Sequence, residues 1–292
     1  MNGRKVVFSC LVVLILLLLV IIVAVTPRRL LRLLNILETP QTNVSALLYK
    51  DLDERYQPNE PRVYAELNLS EELDKLLKLY PEVSLIVEHR ESYPEDLLAA
   101  MCNNPEMIPF VLTDVSMLEK MVLAEEENKR AACPLYLQWD LRWGYHSYGS
   151  SFVALTGCGP VCLAMITEAL IEDSQITPVD VAEYSMEKGY YVPGVGTDWS
   201  LLYEGCLEFG IKAKEIDITE DSMKWHLDRK HPLICSVGPG DFTSSGHFIV
   251  IYDYNQSGFL VNDPNCVERS LRIWTFEELE SQIRKMWAYQ KK

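Results

Sequence analysis

Positive charge is scarce in this chain of 292 residues: 27 Lys and Arg stand against 42 Asp and Glu, a formal net charge of −15. Such a surface repels a phosphate backbone, so nucleic acid is excluded as the natural partner. Cysteine is sparse as well. Eight thiols at irregular spacing exclude a small disulfide-framework fold. Cys158 and Cys162 have no histidine near them in sequence, which is not a usual zinc spacing, and no metal or cofactor is expected. Internal repeats and low-complexity tracts are lacking. Histidine occupies only five positions, so few residues compete for the role of a base. Apolar residues are plentiful at 48%, which permits a large core and excludes global disorder.

The longest apolar run lies at the start. From Val6 to Val25 only Ser9 is polar, and a helix of that length crosses a bilayer core of about 30 Å. The apolar region of a cleavable signal peptide is shorter, about 7–15 residues, and Ala24-Val25-Thr26 imitates a cleavage site poorly. The expectation is an uncleaved single-pass anchor over residues 6–25, in a cell membrane. Arg4 and Lys5 on one flank balance Arg28, Arg29 and Arg32 on the other, so positive charge does not orient it. A short N-terminal tail is easily left behind, which favours a main domain outside the cytoplasm.

Residues 26–60 read as a juxtamembrane connector punctuated by Pro27, Pro40 and Pro58. A helical subdomain is expected over 61–130. Ser70 caps one helix, Pro94 opens a second that Pro105 ends, and Ser116 with Glu119 forms a capping box for a third. Beyond the charged run at 125–130 the composition changes, and residues 131–292 read as one α+β domain. Its helices come first: one opened by Pro160, one started by Thr177-Pro178, one over Thr197–Phe209 ended by Gly210. Candidate strands follow at Ile211–Ile218, Pro232–Val237, His247–Tyr254, Gly258–Asn262 and Ser270–Trp274, before a final helix near Thr275.

Cys158 stands in Thr156-Gly157-Cys158-Gly159-Pro160. With Pro160 as first helical residue, the thiol lies just before a helix N-terminus. Unpaired backbone N–H groups and the positive dipole end favour a thiolate there. Gly157 and Gly159 would leave the backbone bare for a substrate carbonyl. Cys162, on the apolar helix face with Met165, Ile166 and Ala169, reads instead as a buried small hydrophobe. A nucleophilic thiol needs a base. His89 lies in the N-terminal region, His226 and His231 fall in the charged segment around Met223–His231, and His146 sits in a Tyr- and Gly-rich loop. His247 heads the apolar run Phe248–Tyr254, which would hold it rigidly at a sheet end. A hairpin turning at 255–258 brings Asp263 to that end. There the carboxylate accepts the imidazole N–H and fixes its tautomer, where a bare Asp-Pro turn is the bland alternative.

The segments PLYLQWDLRWG, TGCGPVCLAM, GTDWSLLYEGCLEFGI, PLICSVGPGDFTSSGHFIVIYDY and FLVNDPN resemble the papain-like cysteine peptidase superfamily. More narrowly, they resemble the bacterial domains that cut double-glycine leaders from bacteriocins, over residues 131–292. The resemblance implies a papain-like fold and an enzyme that cleaves peptide bonds in a peptide or protein substrate. It makes Cys158 the nucleophile, His247 the base, Asp263 the orienting residue and Gln138 the oxyanion-hole donor. Gln138 lies farther before the cysteine than the glutamine of papain-like enzymes does, so Trp139–Ser150 must form an excursion that returns to it. No transporter segments accompany the domain, so a dedicated leader substrate is not implied. An acyl transferase using the same three residues and a catalytically silent cell-surface binding module are the alternatives.

Overall fold

The structure, a computed structural model, describes residues 46, 49–114, 132–171 and 174–292. The expected anchor at 6–25, most of the connector, the Ser116–Glu119 capping box and the charged run at 125–130 lie outside the described residues. Among the described residues no helix is long and apolar enough to cross a membrane. All of them belong to one compact unit, Thr42–Lys292.

The N-terminal part is helical. Helix α1 (Leu69–Leu79) starts two residues earlier than expected, because Asn68 rather than Ser70 is the cap and accepts the Glu71 N–H. Helix α2 (Glu95–Asn103) follows Pro94 in the capping position and buries Leu97, Leu98 and Met101. Asn104 then caps a short turn, Pro105–Met107, through the Glu106 N–H. These helices share one apolar core with residues from 133 onward: Leu76, Ile86, Leu98 and Phe110 lie in it together with Trp139, Val153 and Val161. Phe110 stacks on Tyr145 with ring centroids 4.3 Å apart. Its edge fills the place where a Cβ on Gly144 would sit, 2.6 Å away, so only glycine allows that approach.

The rest is a six-stranded antiparallel sheet with helices on both faces. The central helix α3 (Cys158–Leu170) is buried along most of its length. It is followed by α4 (Pro178–Glu187), which starts at Thr177-Pro178 as expected and carries a Thr177–Asp180 capping box, and by α5 (Trp199–Tyr203). The single helix expected over Thr197–Phe209 breaks at Glu204, and Gly210 ends the following turn at φ 74°. Two small hairpins flank α3, one of β1 (Ser147–Tyr148) with β2 (Ser151–Phe152), the other of β3 (Tyr191–Val192) with β4 (Gly196–Thr197).

The main sheet comprises β5 (Ile211–Glu215), β6 (Leu233–Val237), β7 (His247–Asn255), β8 (Gly258–Asn262), β9 (Ile273–Trp274) and β10 (Ile283–Lys291), in the order β5-β10-β6-β7-β8-β9. Alternate residues of the inner strands enter two separate cores. Phe248, Val250, Trp287 and Tyr289 face the core that contains α3. Ile249, Ile251, Met286 and Ala288 face a second core that contains Met223 and Leu227 of helix α6 (Glu220–Leu227). A strand covered on both faces loses the polar half of its alternation. That is why β10, the inner strand between β5 and β6, carries no period-two signature over Met286–Tyr289; no strand was expected after the helix near Thr275. The capping box of Thr275 and Glu278 is present, but its helix stops at Glu280. Of the strand expected over Ser270–Trp274, Ser270 and Leu271 close helix α7 (Val267–Leu271) and only Ile273–Trp274 is extended.

Candidate active site

Cys158 is the first residue of α3, and the Val161 N–H makes the opening helical bond to Gly157 O at 3.0 Å. Pro160 is therefore the third helical residue, not the first. The first-turn N–H groups have no intrahelical acceptor, so proline fits anywhere in that turn. The flanking glycines serve packing and do not open the backbone to substrate. A Cβ on Gly159 would meet the Thr197 side chain at 2.7 Å, and one on Gly157 the Val153 carbonyl at 2.6 Å. Thr197 is pinned by Tyr148, whose hydroxyl is 2.8 Å from both Thr197 and Ser185. The two hairpins thus clamp the start of α3.

Helix α3 lies against β7, and the contact is fixed one turn beyond Cys158, where the Cys162 thiol donates to Phe248 O at 3.3 Å. His247 precedes Phe248 and is nearly buried. Its Nε2 is 2.8 Å from Asp263 Oδ1, and the ring also interacts with the Cys158 side chain. The pairing of β7 with β8 turns at Asn255 and Gly258 as expected and delivers Asp263 to the His247 end. The structure therefore brings Cys158, His247 and Asp263 together in that order.

Asp263 is fully buried and saturated with donors. Besides His247, Oδ1 accepts the Asn265 N–H at 2.8 Å, and Oδ2 accepts Arg269 Nε at 2.6 Å. Burial pushes this carboxyl up, but Arg269 and His247 outweigh it and hold it at about 2. Burial pulls the imidazole down, yet the Asp263 charge and hydrogen bond, with Cys158 beyond, raise it to about 9. At neutral pH the site is a buried row of guanidinium, carboxylate and imidazolium ending on the Cys158 sulfur. Arg269 was not apparent in the sequence. It falls on α7, in a stretch read as loop running into strand.

Gln138 is held at both ends. Its backbone N–H donates to Pro264 O at 2.7 Å, next to Asp263, and its side-chain Nε2 donates to Ala154 O at 2.7 Å, one turn before Cys158. The Trp139–Ser150 excursion exists: it folds through tight turns, and the Val153 N–H closes it on His146 O at 2.9 Å. Gln138 Oε1 is buried without a hydrogen-bond partner. The other histidines stand elsewhere. His146 Nε2 is 3.6 Å from Glu183, and His89 is exposed. His226, expected on a solvated face, is buried on α6, where burial and His231 lower its pKa. Of the seven described cysteines none is in a disulfide, and six are buried; Cys158 alone is partly exposed. No cluster of three His, Cys, Asp or Glu able to hold a metal occurs among the described residues.

A thiol at the head of a buried helix, beside a histidine that an aspartate holds from a facing antiparallel sheet, is the arrangement of the papain-like cysteine peptidase class. Within it, residues 131–292 match the Peptidase_C39 like family, and the chain belongs to that family. No curated protein matches the chain. Three solved chains are similar, among them two peptidases. The peptidase domain of Streptococcus ComA, a bifunctional ABC transporter involved in a quorum sensing pathway, is 18% identical, with 47% of this chain and 93% of that one covered and a TM-score of 0.38. A C39-like peptidase from Bacillus anthracis is 15% identical, with 47% and 90% covered and a TM-score of 0.28.

Proposed function

We propose that this protein is a membrane-anchored cysteine peptidase acting on peptides or proteins. The observation that carries the reading is the 2.8 Å bond from His247 Nε2 to a buried Asp263, which leaves Nδ1 as the ring nitrogen for Cys158. The Cys158 proton rests on His247, and the thiolate Sγ attacks the scissile carbonyl carbon. The oxyanion meets the Cys158 backbone N–H, which has no acceptor within the helix, and the second amide hydrogen of Gln138. The C–N bond then breaks, and the amine leaves with the proton from His247. His247 next takes a proton from water; the resulting hydroxide attacks the thioester, releasing the carboxylic acid and returning the thiolate beside the imidazolium. Asp263 stabilises the imidazolium throughout and stays ionised. Residues 6–25 anchor the enzyme, with its catalytic unit outside the cytoplasm.

The test is labelling of the full-length protein with a thiol-reactive peptidyl electrophile, read by mass spectrometry at the Cys158 peptide. Fast labelling at Cys158 that His247→Ala abolishes is expected. Turnover of a peptide library should vanish in Cys158→Ala with the fold intact. Undiminished cleavage by that variant refutes the assignment.

A further inference from the structure

The loop that carries Asp263 is held from outside the family-matched residues. Glu106, on the turn after α2, is fully buried. Its Oε2 accepts the Val267 N–H at 2.8 Å, and its Oε1 accepts the Glu268 N–H at 3.0 Å. These are N–H groups of the first turn of α7, which have no helical acceptor, and Cys266 supplies no side-chain cap. A carboxylate borrowed from 161 residues away in sequence caps α7 instead. Asn104 adds a second tie: its Nδ2 donates to Asn265 O, the oxygen that also accepts Trp139 Nε1 at 2.9 Å. The Asn265 N–H and the α7 residue Arg269 are the two groups that bind the Asp263 carboxylate besides His247.

We infer that Glu106, supported by Asn104, is a positioning residue for catalysis: it caps α7 and thereby fixes Arg269 and Asn265 on Asp263, and Asp263 on His247. The N-terminal helical segment is then part of the active site's scaffold, although the family match begins at residue 131. The charge of Glu106 also acts along this row. It favours the Arg269 cation, and it bears on Cys266, the other titratable group beside Arg269. This inference rests on the peptidase reading of Cys158, His247 and Asp263.

The experiment is the pH profile of Cys158 alkylation by iodoacetamide in the full-length protein, followed at the Cys158 peptide, for the parent, Glu106→Gln and Asn104→Ser. The parent should show two inflections enclosing a plateau, the upper one marking loss of the His247 proton. Loss of a capping anion removes negative charge from the row and loosens the Asp263 loop, and both effects disfavour the imidazolium. The upper inflection in Glu106→Gln should therefore fall by at least about 0.5 pH unit. Asn104→Ser, which keeps every charge, should narrow the plateau less. Glu72→Gln is the control, since Glu72 binds Arg62 and Lys75 on the same helical segment and does not touch the loop. It should leave the profile unchanged. A Glu106→Gln profile that overlays the parent's overturns the inference, as does an equal shift in the control. Should Glu106→Gln fail to fold, an Asn104→Ser profile identical to the parent's overturns it. A parent profile with the single inflection of an ordinary thiol refutes the peptidase reading itself, a different outcome.

Discussion

Arg269→Met and Asp263→Asn, singly and together, probe the least expected part of the site. The pair is buried, with side chains 7% and 0% exposed and Nε 2.6 Å from Oδ2. Removing one partner of such a pair leaves an uncompensated buried charge and costs about 3–5 kcal/mol. Asp263→Asn should sit at the upper end, because an amide can still accept from His247 but cannot balance Arg269. Arg269→Met should cost less, because the His247 cation remains against Asp263. For a unit of this size 1 kcal/mol corresponds to about 2–4 °C, so the single variants should melt about 6–20 °C below the parent. The double variant removes both charges and should be more stable than the sum of the singles by about 2 kcal/mol or more. Urea unfolding of all four proteins, followed by circular dichroism, measures the coupling. Additivity within about 0.5 kcal/mol would show that the two side chains do not interact, and the description of the site would fail with it.

Two further outcomes follow from the same residues. His247, raised to about 9 from an ordinary 6.5, contributes stability that is full below 6.5 and lost as pH rises toward 9; Asp263, lowered to about 2 from 3.8, contributes stability present above 3.8 and lost as pH falls toward 2. The stability difference between the parent and His247→Gln should therefore be flat between about 4 and 6.5 and shrink by pH 9, and a difference that grows over that upper range contradicts the sign. Gly159→Ala should cost about 1–3 kcal/mol by overpacking Thr197, and adding Thr197→Ala should recover part of it in thermal unfolding; no loss in the single variant would mean that the hairpin does not press on α3.

Where local signals sufficed, the sequence could be read closely. The Thr177–Asp180 box, Gly210 as a helix stop, and the Asn255–Gly258 hairpin are each set by residues within a few positions of one another. Their physics is complete at that range. Strand β10 was hidden for the opposite reason. Its central residues Met286–Tyr289 are apolar and buried on both sides because two cores grip the sheet, and that burial is a property of the assembled fold.

The site divides along the same line. Cys158, His247 and Asp263 are legible because each has a local mark: a glycine-flanked thiol before a helix, a histidine heading an apolar strand, an aspartate just past the hairpin's end. Arg269 and Glu106 have no such mark, since each owes its role to a partner that only folding supplies. A guanidinium six residues after Asp263 on a short helix could equally face water. A glutamate after Pro105 looks like any first-turn acid, favourable near its own N-terminus. The carboxylate instead reaches beyond its own turn and caps another helix, where the two first-turn N–H groups of α7 have no helical acceptor. Burying those N–H groups or the carboxylate alone would cost stability. Burying them together satisfies both, and it ties the geometry of the base to a turn that lies outside the family-matched residues.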